Sequence, residues 1–128
     1  MIVVAIIGIL AGVSIPKFAQ LLERAREGAT KSNIGAIRSA VTIYYGRNEN
    51  VFPTSIDSTS DFVGSADTNF LAQLPPASAT PLGNTNAVNA VTGLPNAIGT
   101  GWAYKSLSGE LWANSIATDT RESPFTSY

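Results

Sequence analysis

The acidic residues Asp57, Asp61, Asp67 and Asp119 are the side chains of this sequence best suited to chemistry, because each is a hard-oxygen donor in loop-like sequence. Asp57 with Asp61 is the pair that could in principle divide general-acid and general-base duties, but neither neighbour set supplies the tuning that such a pair needs. The sequence contains no His and no Cys. That excludes a Ser-His-Asp or Cys-His nucleophile, a cysteine redox pair and a His/Cys zinc or haem site. No Gly-rich phosphate loop is present either. The expectation is a protein that is not an enzyme and carries no cofactor. Asp57, Asp61 and Asp119 remain as calcium candidates, yet no loop has the dense alternating acidic spacing of a calcium site, and solvated loop acids are the plainer reading.

The elements that would position these loops are dominated by the opening of the chain. Met1 to Pro16 is an uncharged apolar run. A spanning helix needs about 20 apolar residues, whereas a run of 10 to 14 reads as a signal h-region or a buried core helix, and Met1 to Ile15 falls between them. No charged n-region or polar cleavage site accompanies it. Lys17, Phe18, Ala19, Gln20, Leu21 and Leu22 continue the helical spacing, so the run is expected to be a permanent part of one long helix. Gly8 and Gly12 form a Gly-x-x-x-Gly pair with Ala5 and Ala11 beside it, a flat stripe that lets another backbone approach closely. Ordinary small residues in an apolar helix are the plain alternative. Gly8, Gly12 and Pro16 are also weak points, since interior glycine costs roughly 1 kcal/mol against alanine and interior proline about 3.

From Lys17 the pattern becomes amphipathic. Phe18, Leu21, Leu22, Ala25 and Ala29 share a face, and Ile34, Ile37, Val41 and Tyr44 continue it after a polar interruption from Thr30 to Asn33. Glu27 and Lys31 are spaced for an i, i+4 ion pair. Gly46 is expected to cap the helix, with Asn48, Asn50 and Pro53 preventing a restart. Charge is uneven. Residues 17–50 carry six basic against three acidic side chains, and residues 51–128 carry two against six. A basic stem meeting the acidic head of another subunit would fix register, although two solvated faces explain the imbalance equally well. A net charge of −1 and no dense Lys/Arg cluster argue against nucleic-acid binding.

Residues 51–128 form the remainder. They are too few for a large core alone, so a small sheet backed by the helix is expected. Residues 77–101 have little period and read as a surface loop or a weak first strand. Gly101-Trp102-Ala103-Tyr104-Lys105 and Leu111 to Ala117 alternate around Ser108-Gly109 and read as an antiparallel hairpin. Trp102 and Trp112 are expected to pack on Ile34, Ile37, Val41 and Tyr44, with a subunit interface as the other role for these aromatics. The fold class expected is α+β, a long N-terminal helix (1–50, with 1–16 the apolar segment) packed on a small antiparallel sheet head (51–128).

The Ile-Val-Val-Ala-Ile-Ile-Gly-Ile-Leu-Ala run, Gly8, the small pair Ala11 and Gly12, and Pro16 closely followed by Phe18 resemble the N-terminal helix of type IV pilins and of the pseudopilins of type II secretion. The resemblance covers about the first fifty residues, including the exit from Tyr44 to Pro53. It implies the pilin fold and a subunit held in the inner membrane. That subunit is passed by a pilus or secretion assembly machinery into a homo-oligomeric helical filament. The filament core would be built from Ala5, Gly8, Ala11, Gly12, Pro16 and Phe18, with the helix loosening near Pro16 on assembly. For pseudopilins it also implies a calcium site in the head. Family members carry a basic leader and a Phe-Thr-Leu-Ile-Glu-like stretch before the equivalent of Met1, so truncation, an alternative start or a mis-assigned first codon is expected. Leader cleavage, N-methylation and the glutamate's role are carried onto no residue here. The basic flank after Ile15 would face the cytoplasm by the positive-inside rule and the outside by the resemblance, and we follow the resemblance. A monomeric membrane-anchored binding protein is the rival from another class.

Overall fold

In a computed structural model of the chain, residues 1–60, 62–64 and 70–128 are described. The first element, α1, runs from Ile2 to Arg47 without a break, about 69 Å at 1.5 Å per residue. It passes straight through Pro16. The helix ends one residue past Gly46, near where the spacing predicts, but Gly46 is not its cap. Asn48 caps it, its backbone N–H and its side-chain amide both donating to the Tyr44 carbonyl at 3.0 Å. Glu49 and Asn50 then carry the left-handed turn at φ 51° and 64°, a conformation that Asn tolerates well.

The C-terminal half of α1 carries the head. Ile34, Ile37, Ala40 and Val41 are buried, with Tyr44 half-buried, at the 3- and 4-residue spacing of one helix face. They meet a three-stranded sheet ordered β1 (Val88–Ala90), β2 (Trp102–Lys105), β3 (Glu110–Ala113). The architecture is therefore α+β, a long helix on a small sheet, but the sheet is mixed rather than antiparallel. β2 and β3 form the expected hairpin, with Trp102 opposite Ala113 and Tyr104 opposite Leu111. β1 pairs with β2 in parallel. Parallel pairing requires the chain to travel back before β2, and residues 91–101, rich in Gly, Pro and Asn, make that return. Gly101 closes it at φ +71°, pressed so closely on Ala87 that an added Cβ would overlap the Ala87 carbonyl. Only glycine fits both constraints.

The strands decide which aromatics face the helix. Trp102, Tyr104, Leu111 and Ala113 share the core face with Ile34, Ile37 and Val41. The Trp102 Nε1–H donates to the Pro75 carbonyl and the Tyr104 hydroxyl to the Pro53 carbonyl, each at 2.8 Å. Burial of that phenol pushes its pKa up to about 12. Trp112 does not join them. It lies one residue out of phase, opposite Ala103 on the other face and half-buried, because alternation along β3 places Leu111 and Ala113 inward. A short 3₁₀ turn, η1 (Phe125–Ser127), closes the head, with Phe125 and Tyr128 edge to face at 5.1 Å.

Candidate functional site: a bare apolar stem and its polar latch

Every residue from Met1 to Leu22 is exposed. Thirteen of them are large and apolar, among them Ile2, Ile6, Ile9, Leu10, Val13, Phe18 and Leu22. Full burial of such a side chain is worth about 1.5–3 kcal/mol, so the stem forgoes roughly 20–40 kcal/mol while bare. That exceeds the roughly 5–15 kcal/mol by which a whole domain is stable. The helix carrying this stem is, among the described residues, long and apolar enough to cross a membrane by length and composition. Ala5, Gly8, Ala11, Gly12, Pro16 and Phe18, the expected packing residues, all lie on it and are all exposed. A Cβ added at Gly8 or Gly12 would meet nothing within 4 Å. Ala25 and Ala29, expected to extend the apolar stripe toward the head, are exposed as well.

The bare region stops where the head begins to grip α1 with polar groups. The Thr80 N–H and hydroxyl donate to the two Glu23 carboxylate oxygens at 2.8 and 3.2 Å. The Thr120 N–H and hydroxyl do the same to Glu27, both at 2.7 Å. Thr30 is fully buried, and its Oγ1 accepts the Ser78 and Ala79 N–H groups at 3.1 and 3.0 Å while donating to the Arg26 carbonyl at 2.9 Å. Lys31 reaches Asp119 at 3.4 Å and lies over the Tyr128 ring, 4.1 Å from its centroid. The Asn33 amide donates to the Pro76 carbonyl at 2.9 Å. Arg38 donates to the Leu111 carbonyl at 2.7 Å and to the Tyr128 carbonyl, tying β3 to η1, and its partial burial lowers its pKa. The i, i+4 pairing read from Glu27 and Lys31 does not form, because each side chain is taken up by the 119–120 loop instead.

The aspartates divide accordingly. Asp57 sits in a tight turn, accepting the Ser55 hydroxyl at 2.9 Å and the Thr59 N–H and hydroxyl at 3.0 and 2.7 Å, and these bonds hold its carboxyl below the usual range. Asp119 is buried and accepts the Tyr128 hydroxyl at 2.7 Å and the Arg121 and Ser123 N–H groups at 2.8 and 2.9 Å. The Tyr128 bond is the main reason that its carboxyl is held far below the usual range, and burial followed by the same bond pushes the Tyr128 phenol up. Asp61 and Asp67 lie outside the described residues. Among the described residues no three acidic side chains stand together as a metal cluster would require.

Comparison of the chain with family models, with curated proteins and with solved structures finds no match. The stem is thus interpreted from its own geometry. The polar stretch Thr30 to Asn33, which periodicity marks as a gap in the stripe, is the centre of the latch. Its signal in the sequence is phase: Glu23, Glu27, Thr30, Ile34, Ile37 and Val41 share one face, so the polar residues lie in line with the core.

Proposed function

We propose that the protein is a non-catalytic structural subunit of an extracellular type IV pilus-like filament, held in the inner membrane by its stem and then polymerised through it. The observation that carries this reading is the thirteen-residue apolar surface of Met1–Leu22, bare on a helix whose other half the head holds firmly. A surface of that size must be covered by lipid or by protein, and moving between the two costs little because both are apolar. Packing then selects the assembled state, and the open space at Gly8 and Gly12 supports close approach of a second helix. The uneven charge, basic along residues 17–50 and acidic along 51–128, supports stem-to-head register between subunits.

The test is negative-stain electron microscopy of material sheared from cells that produce the protein from its own gene, comparing wild type with Gly8→Leu/Gly12→Leu. Filaments present in wild type and absent from the variant, with both proteins in the membrane fraction, are the expected result. Stable membrane-bound protein without filaments in either would favour an anchored monomer.

A further inference from the structure

The two edges of the sheet are treated differently. On β3 the outward carbonyls are taken, Leu111 by the Arg38 guanidinium at 2.7 Å and Ala113 by the Ser115 N–H at 2.8 Å. On β1 the Trp102 N–H donates to the Ala87 carbonyl at 2.8 Å and the Val91 N–H to the Tyr104 carbonyl at 2.9 Å. Ala87, Asn89 and Val91 therefore turn their backbone groups toward β2, and Val88 and Ala90 turn theirs away. Among the described residues, no hydrogen bond reaches the N–H or C=O of Val88 or Ala90. Edge strands are commonly shielded by charges or prolines. This one has neither, since no charged residue occurs from Thr68 to Tyr104 and no proline between Pro81 and Pro95.

The strand that fits this edge is a second copy of itself. Val88 and Ala90 flank Asn89 symmetrically, so an antiparallel copy turned about a two-fold axis at Asn89 sets the Val88 of each chain against the Ala90 of the other. Every outward N–H and C=O of the two residues then finds a partner. Charge agrees with this choice. Residues 51–128 carry two basic against six acidic side chains, so two heads repel except where they meet on uncharged surface, whereas a basic partner is drawn to the acidic side. Beside the edge, a hollow of about 350 Å³ lined in part by Ala90, Leu94, Pro95 and Ala97 leaves Leu94 63% exposed, apolar surface that a neighbour on the edge would cover. We infer that two heads pair edge to edge through β1 into one continuous sheet. The strand is three residues long, so the pairing is weak and reversible. A two-fold contact closes on two subunits and cannot propagate, so it goes beyond the stem-built filament proposed above and does not rest on it.

The chain has no cysteine, so a single engineered one reports alone. In the full chain in mild detergent, Asn89→Cys should form a disulfide dimer under mild oxidation about tenfold faster than Ala87→Cys or Ser106→Cys, both at exposed positions. Paired on the axis, the two residue-89 Cα atoms stand about 4.5 Å apart, inside the span of about 4.4–6.8 Å that a disulfide bridges, whereas those of residue 87 are offset by about 13 Å. Association through the stems alone would bring all three positions together at equal rates. Adding Ala90→Pro, which removes an outward N–H that an edge strand can lose without unfolding, should abolish the advantage of Asn89→Cys. In the wild type, which needs no substitution, amide exchange at Val88 and Ala90 should slow as protein concentration rises, while that at Asn89, turned toward β2, stays constant. Equal cross-linking at the three positions, an advantage that survives Ala90→Pro, or exchange at Val88 and Ala90 that does not respond to concentration would each overturn the pairing.

Discussion

Thr30→Val tests whether the polar latch fixes the head to the helix. The substitution keeps the shape of a fully buried side chain but removes the oxygen that accepts the Ser78 and Ala79 N–H groups at 3.1 and 3.0 Å. Ala79 is itself buried and Ser78 partly so. A buried donor left without a partner costs about 1–3 kcal/mol, and the added methyl returns less than about 1. With both donors orphaned, one of them only partly buried, and the methyl subtracted, the net loss is roughly 2–4 kcal/mol. At a urea slope of about 2 kcal/mol per molar, the middle of the usual range, the midpoint falls by about 1–2 M. The assay is urea unfolding in mild detergent followed by tryptophan fluorescence, since Trp102 is fully buried and its Nε1–H is held by the Pro75 carbonyl. Thr30→Ser is the control. It keeps the acceptor and loses only a methyl, worth about 1 kcal/mol. If the valine variant unfolds at the same urea concentration as the serine variant, the hydroxyl does not hold the 78–79 loop and the latch argument fails.

Four other outcomes follow from the same geometry. Gly101→Ala, at φ +71° and against the Ala87 carbonyl, should cost at least about 2 kcal/mol in the same urea assay by forcing the β1–β2 return loop apart. Asp119 has a folded pKa below its unfolded value, so its stabilisation is present above the ordinary carboxylate range and is lost as pH falls below about 4. Urea midpoints measured from pH 7 to 2 should show that decline in wild type and a shallower one in Asp119→Asn. At the other end, Tyr104, raised to about 12, stabilises fully below its unfolded value of about 10 and loses this as pH climbs toward 12, an alkaline loss that Tyr104→Phe should reduce. Gly8→Leu/Gly12→Leu should leave the isolated subunit in detergent as helical as wild type by circular dichroism, or slightly more so, because both positions are open and leucine is the better helix former.

The sequence reveals the long helix and the β2–β3 hairpin because both are local. Helical spacing from Ile34 to Tyr44 and alternation across Trp102 to Lys105 are periodic signals that packing reinforces. β1 is different. Val88, Asn89 and Ala90 have no strand alternation to distinguish them from the surrounding Ala, Asn and Thr, and their pairing with β2 depends on a return loop closed by a glycine eleven positions after Ala90. Nothing within three residues encodes a parallel partner. Trp112 shows a second limit, since two tryptophans in a hairpin both read as core until the register is known, and the register puts them on opposite faces. The latch was hidden for a third reason. Glu23, Glu27 and Thr30 look like solvent residues by type, and their engagement by the head, with Glu27 and Thr30 buried, follows only from loop backbone donors at 78–80 and 120.

That choice of polar contacts has a physical consequence for the stem. An apolar interface in place of Glu23, Glu27 and Thr30 would continue the core stripe toward Ala19 and Pro16 on the same helix face with nothing to mark where the head should stop, and sliding the head along α1 would exchange one apolar contact for another. Directional bonds do not permit that. Shifting the head by one helical turn would move the Thr80, Thr120 and Ser78–Ala79 donors away from Glu23, Glu27 and Thr30 and leave the buried Glu27, Thr30 and Ala79 groups unpaired, a cost of about 1–3 kcal/mol for each of these buried groups. The latch therefore fixes the register of head on helix and leaves the whole of Met1–Leu22 uncovered, so that the surface most in need of a partner is also the one that the fold keeps available.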